Sequence, residues 1–219
     1  MPRLLFEKTG NSVWISHLDL MRVFQRGFKR AGLPLKHTQG FNPRPSVSIA
    51  LPLSVGVESK CELLDFDLEG DTVSCGEICS KLNGKLIQGV KVLDVYESGR
   101  KIRDLSLLKC SIVLHYDKGV PINAIEQINR LFASESVIVQ KKTKNGLQDQ
   151  NIIPMIQQFE LNEIDENNLQ IEAVICCQNP TLNPAQIPLA ISTYLPDIAP
   201  NFNRYCRLEV YDNNMTIFR

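Results

Sequence analysis

The strongest constraint on the fold is an order of secondary-structure patterns that runs along the chain twice. Each half shows strand, helix, strand, strand, helix and strand patterns in that order. This order predicts a mixed α+β protein made of two tandem ferredoxin-like (βαββαβ) domains, each with an antiparallel sheet covered by helices on one face. The pattern breaks at SGRKIRDLS, so we predict domains at residues 1–103 and 104–219.

The first half carries clear helix and strand signals. A strand is predicted over residues 3–16, with a turn inside it. The helix that follows has a capping-box-like start at Ser16 and Asp19, and Gly32 with Pro34 ends it. Two further strands, a short helix and a closing strand are predicted for SVSIALPLSVGV, ELLDFDLEG, GEICSKLNGKL and VKVLDVY.

The second half repeats these signals less clearly. Strands are predicted for KCSIVLHY, VIVQKK, NLQIEAVICC and NRYCRLEVY, and helices for PINAIEQINRLFA and NPAQIPLAIS. Pro188 removes a backbone donor near the first turn of the last helix, so that helix is predicted to be short or irregular.

The charges balance overall but are unevenly distributed. The chain has 24 Lys and Arg against 24 Asp and Glu, which offers a polyanion no global attraction. Residues 1–60, however, hold nine basic against three acidic residues, and residues 61–100 hold four against eight. The same swing recurs more weakly, with eight against five in residues 101–150 and three against eight in residues 151–219. Such asymmetry indicates either a polyanion site on one face or a solvated basic surface.

A basic face on the first helix is the first candidate site. The face consists of four cations, Arg22, Arg26, Lys29 and Arg30. At 100° per residue, they cover an arc of about 100° opposite the apolar stripe of the helix. The loop LKHTQGFNPRP then presents an aromatic ring and further polar groups. Guanidinium groups bind phosphate bidentately, and an exposed Phe41 would stack on an unpaired base. The alternative is that Phe41 fills the core beneath the loop. The predicted contacts are Arg22, Arg26, Lys29, Arg30, Lys36, His37, Gln39, Gly40, Phe41, Asn42 and Arg44.

A second basic segment is predicted in the other half. Lys141, Lys142 and Lys144 precede Gly146 and form a basic hairpin, which either contacts nucleic acid or is a solvated turn.

The sequence argues against most catalytic and metal-binding chemistry. It lacks the three closely spaced cysteines of a radical-chemistry iron–sulfur cluster, a phosphate-binding loop and paired-cysteine zinc spacing. We therefore expect no cofactor and no metal in this chain, and a non-enzyme rather than an enzyme. Weak candidates for acid–base catalysis are His17, at the helix start, and His37, beyond its end.

The run ISHLDLMRVFQRGFKRAGLPLKHTQGFNPRPSVSIALPLSVGVES closely resembles an uncharacterised bacterial family, the radical-SAM-linked domain of unknown function. Weaker likeness extends through KTKNGLQDQNIIPMI and NPTLNPAQIPLAIS. Arg44 departs from the family, in which His is expected in many members, and this argues against a fixed catalytic imidazole there. The family positions carried over are His17, Asp19, Arg22, Arg30, Gly32, Gly40, Phe41, Asn42, Pro43, Pro45, Pro52, Gly56 and Glu58.

The resemblance implies a partner and a context. Members occur beside, or fused to, cobalamin-binding-type radical SAM proteins, so an iron–sulfur cluster and S-adenosylmethionine are expected only in the partner. The leading hypothesis is a non-catalytic RNA-binding accessory subunit, with transfer or ribosomal RNA as the substrate. Alternatives are a metal-independent RNA-processing endonuclease using His17 or His37, and a purely protein-binding adaptor. Seven cysteines without disulfide spacing and the absence of a long apolar run predict a cytoplasmic protein without membrane contact.

Overall fold

The computed structural model describes residues 1–70, 73–143 and 146–219, and it divides into two compact units. The first unit comprises Met1–Asp104 with Phe218–Arg219, and the second comprises Leu105–Ile217. The described residues form four α-helices and ten strands, and the strand pairings within each unit are antiparallel. The predicted mixed α+β class with antiparallel sheets is therefore confirmed.

The first unit follows the predicted order of elements. Its strands lie in the order β4, β1, β3, β2. The elements are β1 (Arg3–Lys8), α1 (His17–Arg30), β2 (Val47–Ile49), β3 (Val57–Phe66), α2 (Cys75–Asn83) and β4 (Val90–Tyr96).

Two strands of this unit are shorter than predicted. The strand predicted over residues 3–16 ends at Lys8, and a 3-10 helix, Gly10–Trp14, follows. The Ser12 hydroxyl shares its one proton between the Thr9 and Gly89 carbonyls, at 2.8 Å each, and this bifurcated hydrogen bond holds the 3-10 turn. In SVSIALPLSVGV, residues 47–49 form β2 and Val57 begins β3, and Pro52 between them has no N–H to donate to a ladder.

The apolar stripe of α1 forms the centre of the first core. Leu20, Phe24, Gly27 and Phe28 are buried, as their spacing predicts. The Phe24 ring lies 4.7 Å, centroid to centroid, from Phe6 in an edge-to-face arrangement. A Cβ at Gly27 would lie 3.1 Å from Leu86, so glycine allows this close packing. Because this stripe faces the sheet, the opposite side of α1 faces solvent.

The second unit contains the same order of elements with a hairpin inserted. One sheet has the order β10, β5, β9, β8, and β6 pairs with β7 separately. The elements are β5 (Leu107–His115), α3 (Ala124–Phe132), β6 (Ile138–Thr143), β7 (Gly146–Asn151), β8 (Ile156–Asp165), β9 (Asn168–Cys176), α4 (Gln186–Tyr194) and β10 (Phe202–Tyr211).

The role predicted for VIVQKK was wrong. This stretch forms β6 of the hairpin, where Ile138 exchanges hydrogen bonds of 3.0 and 3.1 Å with the Tyr194 hydroxyl of α4. The sheet position expected for it is occupied by β8, which the sequence did not predict. Among the described strands, β8 pairs only with β9, so it is an edge strand with few apolar residues and gives a weak hydrophobic signal.

Phe218 and Arg219 belong to the first unit, whereas the prediction placed them in the second domain. Phe218 is fully buried in the first unit, beneath the Arg3 guanidinium, whose Cζ lies 5.4 Å from the ring centroid. Arg3 in turn donates to both carboxylate oxygens of Asp65, at 2.6 and 2.9 Å. This contact ties the chain end to β1 and β3. None of the described helices is long and apolar enough to cross a membrane.

Candidate nucleic-acid interface

The start of α1 has the predicted cap. The Ser16 hydroxyl oxygen accepts from the Asp19 backbone N–H at 3.2 Å and donates its proton to the Asp19 carboxylate at 2.7 Å. Together with an Arg22 hydrogen bond, this bond from Ser16 lowers the pKa of Asp19 below its ordinary value. Asp19 is therefore ionised at neutral pH, next to the basic face.

The basic face of α1 consists of Arg22, Arg26, Lys29 and Arg30, all exposed. Arg22 donates to Asp19 at 2.7 Å, and Arg30 donates to the Lys85 carbonyl at 2.6 Å. Among the described residues, Arg26 and Lys29 have no ion-pair partner. Arg30 also helps to hold α1 to the segment after α2. Arg26 and Lys29 are therefore the two cations of the face that are most available to a ligand.

Residues 36–46 form a hairpin-like loop, which we call the Phe41 loop. The Thr38 N–H donates to the Arg44 carbonyl at 2.8 Å, and the Ser46 N–H donates to the Lys36 carbonyl at 2.7 Å. At the base, the Lys36 N–H donates to the Asp67 carbonyl at 2.9 Å. These backbone bonds give the loop a defined shape without a buried core of its own.

The tip of the Phe41 loop points into solvent. Gly40 has φ +133°, a conformation that favours glycine, and Gln39, Asn42 and Arg44 are exposed. Phe41 is fully exposed. Phe41 therefore does not fill the core, and of the two roles predicted for it, only a surface role fits the structure.

The structure does not bring the two candidate catalytic histidines together. His17 begins α1 and His37 lies beyond its end, and the 14 residues of this helix span about 20 Å. His17 Nδ1 is buried and has no hydrogen-bond partner within the described part of the chain. The two imidazoles therefore cannot form one acid–base pair.

His37 instead has a neighbour that the sequence did not predict. Its Nδ1 lies 3.9 Å from Oε1 of Glu69, and both side chains are about half exposed. Leu35 and Leu68 form an isolated antiparallel bridge, which brings these distant segments side by side. No local sequence pattern predicts the bridge between Leu35 and Leu68.

The predicted basic hairpin of the second unit is only partly described. Lys141 Nζ donates to the Thr181 carbonyl at 3.1 Å, so this lysine is engaged within the protein. Lys142 lies in β6, but its side chain is outside the described part, and Lys144 lies outside the described residues altogether. Across the described ranges, no three His, Cys, Asp or Glu side chains are arranged to hold a metal ion.

Several solved structures share the fold. The chain is similar to a Cbf5–Nop10–Gar1 complex (TM-score 0.55, 8% identity, covering 95% of this chain and 48% of that one). It is also similar to an H/ACA RNP bound to a substrate RNA containing 2′-deoxyuridine (TM-score 0.54, 10% identity, covering 98% of this chain and 48% of that one). A third similar structure is the archaeal box H/ACA sRNP Nop10–Cbf5 complex (TM-score 0.50, 8% identity, covering 94% of this chain and 46% of that one). The chain spans about half the length of these proteins, and at such identities the likeness concerns the fold alone.

No curated protein matches the sequence significantly. A family match, in contrast, covers most of the chain, from residue 2 to residue 184, and includes α1 and the whole Phe41 loop. The chain therefore belongs to the bacterial family described as "Uncharacterized protein conserved in bacteria (DUF2344)".

Proposed function

We propose that this chain binds single-stranded RNA through the basic face of α1 and the Phe41 loop, without catalysing a reaction itself. The observation that carries the proposal is the fully exposed Phe41 ring on a hydrogen-bonded loop that directly follows an exposed basic helix face. Burying a phenylalanine side chain contributes about 1.5–3 kcal/mol to folding stability, and an exposed ring does not make this contribution. A role in binding accounts for the exposed position of Phe41.

The chemistry of the surface suits a single strand. The guanidinium and ammonium groups of α1 neutralise phosphates, and the aromatic ring at the loop tip offers a stacking face. A duplex hides its base faces, so it would use the cations and not the ring. We therefore assign the site to unpaired RNA, with Lys36, His37, Gln39, Asn42 and Arg44 as further contacts.

The arrangement of strands in the two units is consistent with the proposed RNA-binding function. The strand order β4, β1, β3, β2 of the first unit has its counterpart in β10, β5, β9, β8 of the second. We interpret both as ferredoxin-like domains, the second with β6 and β7 inserted. One of the solved structures of similar fold is an H/ACA RNP bound to a substrate RNA, which agrees with an RNA-related role at the level of the fold only.

The proposed partner is a radical SAM modification enzyme. The resemblance to the radical-SAM-linked family motivates this assignment, and transfer or ribosomal RNA is the proposed substrate in the cytoplasm. In this division of labour, the partner holds the iron–sulfur cluster and S-adenosylmethionine, and this chain binds or presents the RNA.

Direct binding measurements test the RNA role. The full chain is titrated with fluorescent single-stranded RNA and with a duplex of the same length at low salt. We expect tighter binding to the single strand and a large loss of affinity when Arg22, Arg26 and Arg30 all become Ala. Absence of binding at low salt, or equal binding by the triple variant, would contradict the proposal.

Co-purification separates an RNA-binding subunit from a pure protein adaptor. The tagged full chain is isolated from cells with and without nuclease treatment. The proposal predicts recovery of the radical SAM protein together with crosslinked RNA. Recovery of the partner without any crosslinked RNA would favour the adaptor.

A further inference from the structure

A cleft of about 400 Å³ opens between the C-terminal half of α1 and the base of the Phe41 loop. This volume lies within the usual range for small-ligand pockets. The cleft is mostly apolar and has a few polar side chains. The lining residues are Gln25, Lys29, Gly32, Pro34, Leu35, His37, Pro45 and Glu69.

Backbone hydrogen bonds hold this cleft open in a defined shape. The Glu69 N–H donates to the Pro34 carbonyl at 2.8 Å, which fixes one wall against the other. His37 and Pro45 form an antiparallel bridge at the mouth of the Phe41 loop. The cleft is therefore preformed, and a ligand entering it would not have to order the loop first.

The polar groups of the cleft are unlike those of a phosphate site. Glu69 contributes a carboxylate, which accepts hydrogen bonds and repels anions. Lys29 and Gln25 supply donors from α1, and the His37 ring lies 3.9 Å from the Glu69 carboxylate. Pro34 and Pro45 add apolar rings to the lining and have no N–H group to donate. Such a cleft suits a flat, neutral ring with both donors and acceptors on its edges.

We infer that this cleft binds one unpaired guanine of the RNA, an inference that rests on the proposed function and specifies its substrate. Guanine carries two neighbouring donors, N1–H and the 2-amino group, which match the two oxygens of the Glu69 carboxylate. Its O6 and N7 acceptors match the donor hydrogens of the Gln25 amide. Adenine and cytosine offer the carboxylate one amino group and uracil one N–H, so they satisfy it less completely.

Four matched RNAs test this inference. The full chain is titrated with uridine octamers that carry G, A, C or U at one central position. A good bidentate contact predicts about tenfold tighter binding of the octamer with G. Glu69→Gln converts one acceptor oxygen into a donor and should reduce this preference to less than about threefold. Glu97→Gln, an exposed glutamate of the same unit outside the cleft, should leave the preference unchanged.

The outcomes separate this inference from the proposed function. Equal affinity for the four octamers, or a guanine preference that survives Glu69→Gln, overturns the guanine site while RNA binding stands. Failure to bind any octamer overturns the proposed function. In that case guanosine and adenosine, which lack phosphate, probe the cleft directly by ligand-observed NMR. Guanosine contacts that Glu69→Gln abolishes would support the site, and equal signals from both nucleosides would overturn it.

Discussion

The Arg22 guanidinium Nη1 lies 2.7 Å from the Asp19 carboxylate, one turn earlier on the same exposed side of α1. The basic face is therefore partly neutralised by its own helix. Since Ser16 and Arg22 lower the pKa of Asp19 from 3.8, this carboxylate stays ionised at any pH at which the protein would normally be studied. Substitution of Asp19 therefore releases the Arg22 charge, whereas a change of pH within this range does not.

Asp19→Asn should strengthen RNA binding. The change removes the one acidic side chain of α1 and frees Arg22 for phosphate, so we expect an affinity gain of about two- to fivefold. The helix also loses an acid from its first turn, which should slightly lower the free energy of unfolding. Fluorescence anisotropy and urea denaturation measure the two effects.

Glu77→Gln is the matched control for this prediction. Glu77 occupies the equivalent position of α2, where its N–H donates to the Ser74 hydroxyl oxygen and its carboxylate pairs with Lys81 at 2.7 Å. The control changes the net charge equally. An equal gain of RNA affinity in both variants would show that only the total charge matters, contrary to our account.

Phe41→Ala should weaken RNA binding without destabilising the protein. Loss of a base–aromatic stack costs about 1–3 kcal/mol, so the dissociation constant should rise at least about fivefold. The melting temperature should not change, because the ring is fully exposed. Phe202→Ala removes another exposed ring, in the second unit, and serves as the control. A lower melting temperature for Phe41→Ala, or unchanged affinity, would remove the argument for stacking.

Phe218→Ala should destabilise the first unit. The ring is fully buried beneath Arg3, and Phe to Ala changes in cores cost about 3–5 kcal/mol. Chemical denaturation monitored by circular dichroism measures the loss. The adjacent Ile217 is half exposed, so Ile217→Ala should cost much less. Equal effects of the two substitutions would argue against the chain end as a structural part of the first unit.

RNA should remain intact when it is incubated with the purified chain in chelator. This expectation follows from the proposed non-catalytic role, in which His37 lies beside the Glu69 carboxylate and the Nδ1 atom of His17 is buried. Gel analysis of total RNA gives the readout. Cleavage that disappears in His17→Ala or His37→Ala would favour the endonuclease alternative over a non-catalytic subunit.

Much of the fold follows from local sequence signals. The cap at Ser16, the apolar stripe of α1 and the turn at Gly32 can be predicted because each depends on neighbouring residues. Strand β8 could not, since an edge strand needs few apolar residues. The burial of Phe218 could not either, because it depends on Arg3 at the other end of the chain.

The candidate site shows the same limit. The helical arc of Arg22, Arg26, Lys29 and Arg30 follows from periodicity, and the structure leaves all four exposed. The hydrogen-bond partners of these cations cannot be predicted from periodicity, because a contact such as that of Arg30 with the Lys85 carbonyl joins two segments that are distant in the sequence. Glu69 reaches His37 through a pairing between Leu35 and Leu68 that no local pattern indicates.

The salt dependence of RNA binding tests the central claim most directly. Neutralising four to six phosphates of a single strand predicts a slope of about −3 to −4 for log affinity against log salt. Arg26→Ala with Lys29→Ala removes the two cations of the basic face that lack an ion-pair partner within the described chain. It should make this slope shallower by about 1.4.

Lys91→Ala with Lys118→Ala changes the net charge equally at exposed positions outside α1 and should leave the slope unchanged. Equal slopes for the two double variants, or no salt-dependent binding by the native chain, would contradict an RNA site on the basic face of α1.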